Sequence, residues 1–312
     1  FVLSNQTKSH AQGMKRNTFI QFLKYEKRFS AHTIKAYQSD LDQFFQFIER
    51  VYGFTDVVDV QHIHVRSWIV DLMQRKMSSR SINRKLSALK TYFKYLLKRQ
   101  YLSKNPMLKV VGPKTGKRLP VFVHQKQMKQ LFDLLDFGQG YSGWRDRMMI
   151  ETLYSTGMRR SELIGLKDND VDFTKNHYKV LGKGNKERLI PFSSILARNL
   201  EHYLEVRDRE FPEGKAMNLF LTDKGKPLYP KMVYNLVKKY LSQITTVEQK
   251  SPHVLRHSFA THLSDNGADL NAIKALMGHA NLAATQIYTH NSIEKLRKVY
   301  QQAHPKAKVK RG

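Results

Sequence analysis

Apolar positions recur every three to four residues along most of the chain, and that spacing predicts helices. Ile34, Tyr37, Leu41, Phe44, Phe45 and Ile48 share one face of a helix capped by Ser30 or Thr33. Ile82, Leu86, Leu89, Phe93, Leu96 and Leu97 do the same for a helix opened by Ser79. Two further helical patterns, at about 17–28 and 61–75, complete a small bundle over residues 14–103. The aromatic side chains in these stripes are read as core. Residues 1–13 are read as a tag remnant or a frayed arm and take no part in the expected fold.

The pattern breaks at 104–120. Pro106, Gly112, Pro113, Gly116 and Pro120 exclude a helix there, and Lys109, Lys114, Lys117 and Arg118 have no acidic neighbours, so this stretch reads as a basic linker. Beyond it, residues 121–312 mix periods. Helices are expected near 125–136 and 143–155, the second ending at Thr156-Gly157. A β-hairpin follows, with strands 177–181 and 187–191 around the turn sequence Gly182-Lys183-Gly184-Asn185. The rest reads as helices, the last at about 292–303 with Ser292 as cap and Ile293, Leu296, Val299 and Tyr300 at helical spacing, before a basic tail. The expected fold class is mainly α with a small β-hairpin, in two domains.

Composition adds a partner. Lysine and arginine number 54 against 26 acidic residues, a net charge of +28 spread over the whole chain, so a polyanion is expected. No run of about 18 apolar residues occurs, and the first residues lack a signal-peptide pattern, so a cytosolic protein without a membrane partner is expected. The absence of cysteine removes disulfides, thiolate zinc sites and cysteine nucleophiles together. On the helix opened by Ser79, basic residues lie off the apolar stripe. Arg80, Arg84, Lys85 and Lys90, with Lys117 and Arg118 of the linker, are candidate contacts to DNA phosphates.

Four segments carry candidate chemistry. In Thr156-Gly157-Met158-Arg159-Arg160-Ser161-Glu162-Leu163 a glycine turn delivers Arg159 next to a new helix start, a setting suited to an anion. The hairpin turn presents Lys183; its spacing is not that of a nucleotide-binding P-loop. In Pro252-His253-Val254-Leu255-Arg256-His257, His253 and Arg256 are three apart and share a helix face, while Leu255 and Phe259 face the core. A metal on His253 and His257 is disfavoured, because no Glu lies between them. His257 and His262 are read as packing or surface residues. Finally, Gly278 ends a helix, and His279 precedes a stretch carrying Tyr288.

In this order these segments resemble the tyrosine recombinase and integrase family, most closely its Xer-type members, and the resemblance spans nearly the whole chain. It implies a SAM-like helical core-binding domain and a mixed α/β catalytic domain that close on DNA as a C-shaped clamp. It implies a catalytic set of Arg159, Lys183, His253, Arg256, His279 and the nucleophile Tyr288, with Glu162 as structural support. It further implies a 3′-phosphotyrosyl intermediate and a Holliday junction without metal or nucleotide cofactor. The partners would be double-stranded DNA and other protomers, a tetramer in the synaptic complex joined through the C-terminal helix. Chromosome dimer resolution is the expected role; integration or inversion of a mobile element is the alternative, and a type IB topoisomerase a more distant one. Which histidine accepts the tyrosine proton stays open.

Overall fold

The computed structural model describes residues 15–116, 121–182, 187–213, 216–278 and 290–307, with only the backbone for 290–293. The chain divides into two compact units, Phe1–Arg118 and Leu119–Gly312. Both are predominantly helical, and the second holds one small sheet.

In the first unit, helix α1 (15–21) runs into a π-helical turn, Phe22–Glu26. It is followed by α2 (Ala31–Tyr52), α3 (His62–Gln74) and α4 (Ser79–Lys98). Ser30 is the cap of α2, accepting the Thr33 N–H; α4 opens at Ser79 as expected, and Ser78 caps it by accepting from Ser81. The expected stripes contribute to the core: Phe44, Leu89, Phe93 and Leu96 are fully buried, Tyr92 joins them, and Phe44 meets Trp68 edge to face at 5.1 Å.

The second unit is built around α6 (Gly140–Thr156), which follows α5 (Gln125–Asp133). Nearly every side chain of α6 is buried, so it is the central helix rather than an amphipathic one. It ends at Gly157, whose φ of +59° provides the left-handed cap that starts the turn into α7 (Arg160–Gly165). Strands β1 (Val171–Asp172), β2 (His177–Leu181) and β3 (Glu187–Pro191) form an antiparallel sheet in that order. Tyr178 opposite Ile190 and Leu181 opposite Glu187 fix the hairpin register. The two-residue strand β1 is too short to show alternation, and the sequence pattern does not reveal it. Tyr178, Val180 and Ile190 enter the core.

Helices α8 (Ser194–Glu210), α9 (Pro230–Ile244), α10 (Pro252–Asp265), α11 (Leu270–Met277) and α12 (His290–Ala303) complete the unit. Both α8 and α10 pack on α6. In the single chain the apolar face of α12 packs within its own unit. Leu296, Tyr300 and Ala303 are buried against Phe259, Leu263, Ile273 and Leu276. Lys306 then pairs with buried Glu151 at 2.8 Å and lies 3.8 Å over the Phe132 ring.

Candidate active site

Three of the six predicted catalytic residues fall in the described part of the chain. Arg159 sits in the turn between α6 and α7. His253 and Arg256 are on the first turns of α10, where Pro252 starts the helix and needs no N–H partner. Leu255 and Phe259 are fully buried, as the helical spacing predicts, while His253 is exposed. Lys183, His279 and Tyr288 lie outside the described residues, as do the candidate DNA contacts Lys117 and Arg118.

Arg159 and Arg256 are held by the same two turns. Arg256 is 7% exposed; its Nη1 donates to the Gly157 carbonyl, and its Nη2 to the Met277 carbonyl at 2.5 Å. Arg159 Nη2 donates to the next carbonyl, Gly278 O, at 2.9 Å. The turn after α6 and the turn after α11 are thus stitched together by two guanidinium groups. The glycines permit this. Gly157 at φ +59° and Gly278 at φ +65° adopt the left-handed conformation that exposes their carbonyls, and a Cβ on Gly157 would overlap the Phe259 ring. Gly157→Ala is therefore expected to destabilise the protein by more than the roughly 1–3 kcal/mol of a non-glycine left-handed residue. The denaturant midpoint reads this loss.

Glu162 closes the arrangement from below. Its Oε2 accepts the Arg159 backbone N–H at 2.6 Å, in the manner of a capping box, and its Oε1 accepts Arg159 Nη1 at 2.8 Å. Burial alone would raise the pKa of this carboxyl. The hydrogen bonds and charge of Arg188, with those of Arg159, outweigh burial and hold it below the usual value. The pKa of Arg256 is lowered as well, down to about 10, first by burial and then by the charge of Arg159, with Glu162 opposing. It stays protonated at neutral pH. Three guanidinium groups around a single carboxylate leave an excess of positive charge, which suits an anion such as a phosphodiester.

The third guanidinium belongs to Arg188 on β3, which sequence reasoning passed over. It is 5% exposed and forks onto Glu162, Nη1 to Oε1 at 2.7 Å and Nη2 to Oε2 at 2.8 Å. A signal was present: Arg188 alternates in phase with Ile190, so it points to the buried face of the hairpin.

The basic face of α4 also needs one correction. Arg80 and Lys90 are exposed. Arg84 is half exposed while its guanidinium forks onto Asp40 of α2, with Nη2 to Oδ1 at 2.8 Å. Lys85, however, is 4% exposed and bound to Asp40 at 2.9 Å and Gln43 at 2.7 Å, so it ties α4 to α2 and offers no surface to DNA.

A SAM-like helical unit followed by a catalytic unit with this arginine site defines the tyrosine recombinases, and the chain belongs to that group. It matches the phage integrase family over residues 121–295 and the phage integrase N-terminal SAM-like domain over residues 17–100. It is a site-specific recombinase of the Xer-like type, an enzyme that cleaves and rejoins DNA. The XerC tyrosine recombinase of Bacillus licheniformis is 38% identical over 293 residues, 93% of this chain and 95% of that one. The XerC of Chlorobaculum tepidum is 36% identical over 314 residues, 93% of this chain and 94% of its own. Among solved structures, XerH bound to a palindromic difH substrate in a post-cleavage complex has the same fold, with a TM-score of 0.65 and 23% identity over 86% of this chain and 79% of that one.

Proposed function

We propose that Tyr288 attacks a DNA phosphate gripped by Arg159 and Arg256, and that the enzyme exchanges strands between two copies of a specific site. The observation that carries this reading is the pair of guanidinium groups pinned to separate carbonyls of the same two turns, with exposed His253 one helical turn before Arg256. In the proposed step the Tyr288 Oη–P bond forms and the P–O5′ bond breaks. The 3′-phosphotyrosyl link keeps the bond energy for the return attack by a 5′-hydroxyl of the partner duplex, and neither metal nor nucleotide takes part. Lys183 gives its proton to the leaving 5′-oxygen. His253 and His279 donate hydrogen bonds to the non-bridging oxygens, and one of them takes the phenol proton.

The acid role has its own expected outcome. Lys183→Ala is inactive on ordinary DNA but recovers cleavage on a 5′-bridging phosphorothiolate, whose sulfur leaves unprotonated. Failure to recover would remove Lys183 from that role.

The biological reading that goes with this chemistry is resolution of chromosome dimers in the cytoplasm by a tetramer assembled on DNA. No described helix is long and apolar enough to cross a membrane, which is compatible with that location. The test is incubation with a plasmid carrying two copies of a candidate site. Exchanged products support recombination; relaxed plasmid alone would indicate topoisomerase activity, and bound but unreacted DNA a mere binder.

A further inference from the structure

We infer that Arg188 is the positioning residue for Arg159, acting through both of the anchors that hold the Arg159 guanidinium. The inference rests on the reading of Arg159 as a phosphate ligand. Arg159 has two side-chain anchors, Glu162 Oε1 and the Gly278 carbonyl. Arg188 stands behind each. It occupies both oxygens of Glu162 at 2.7 and 2.8 Å, and so fixes the plane in which that carboxylate meets Arg159. Its Nε donates to Leu276 O at 3.4 Å, two residues before Gly278. Its side chain also packs so closely on Gly278 that a Cβ there would lie 2.9 Å from Nε. A single buried guanidinium on β3 thus sets the carboxylate and the carbonyl at once.

The geometry also shows why the position needs arginine. Lysine carries a comparable charge but cannot bridge two carboxylate oxygens and a carbonyl together. With Arg188 replaced, Glu162 keeps its two bonds to Arg159, from the backbone N–H and from Nη1, but loses the guanidinium fork that fixes the plane of its carboxylate from the β3 side. A displacement of about 1 Å at a reacting centre costs on the order of 100-fold in rate.

Single-turnover cleavage on a suicide half-site tests this, with half-site affinity measured beside it. Arg188→Met should cleave about 100-fold more slowly at saturating DNA while its affinity changes little. Arg188→Lys should fall between the two. Because Arg188 acts through Arg159, the double variant Arg159→Ala/Arg188→Met should be no slower than Arg159→Ala alone. A role confined to holding the fold would instead add its full loss to that of Arg159→Ala. Wild-type cleavage by Arg188→Met, or additive losses in the double variant, would overturn the inference. If Arg188→Met does not fold, Arg188→Lys decides, and unimpaired cleavage by it overturns the inference. Should Arg159→Ala itself cleave normally, the phosphate reading fails instead, and the two failures are told apart.

Discussion

Arg256→Lys is expected to slow strand cleavage at saturating DNA by on the order of 100- to 1000-fold, with half-site binding nearly unchanged. Arg256 spans two carbonyls, Gly157 O and Met277 O, from one planar group. An ammonium is a point donor on a flexible stem and cannot hold that span while presenting a fixed charge to a phosphate. Burial makes the replacement worse. The site already pushes the Arg256 guanidinium down to about 10, through burial first and the charge of Arg159 second. A lysine starts from about 10.4 and is lowered by the same causes, so it approaches neutrality in the working range. A lowered cation is charged below its pKa and loses the charge as pH rises. The residual cleavage of Arg256→Lys should therefore fall with rising pH across the neutral range, where the wild type keeps its guanidinium charged. A pH series of single-turnover rates reads both effects, and a flat profile with near-native rate would contradict them.

Tyr288→Phe is expected to remove covalent chemistry altogether while leaving DNA binding intact. The substitution deletes one oxygen and preserves the ring. A phenol with a pKa near 10 is a far better leaving group than an alkyl hydroxyl, which is what lets the proposed intermediate revert or pass to a partner strand. Without it, gel shifts on a half-site should match the wild type, and no SDS-stable complex should form.

Much of this was legible in the chain because two periodicities carry it. The stripe Leu41, Phe44, Phe45 and Ile48 announces α2, and the glycine-containing turn between two alternating runs announces the β2–β3 hairpin. The glycine at 157 marks where α6 stops and Arg159 begins the site. The errors share one physical cause. Lys85 falls three residues after Ile82 and four before Leu89, inside the apolar stripe of α4, and Arg188 falls in phase with Ile190 on β3. A charge in phase with apolar positions is buried when a partner charge waits opposite, Asp40 in one case and Glu162 in the other. Such pairs join distant stretches of chain, and helical or strand spacing says nothing about which stretches meet. The amphipathic pattern of α12 requires a covering surface but does not distinguish its own unit from a neighbouring chain.

In the proposed reaction Tyr288 becomes joined to DNA. Trapping the adduct on a suicide substrate, digesting it and locating the nucleotide-bearing peptide by mass spectrometry tests that claim directly. A 3′-phosphonucleotide on Tyr288 is the expected result. Its attachment to any other residue, or the absence of an adduct from an enzyme that still exchanges strands, would contradict it.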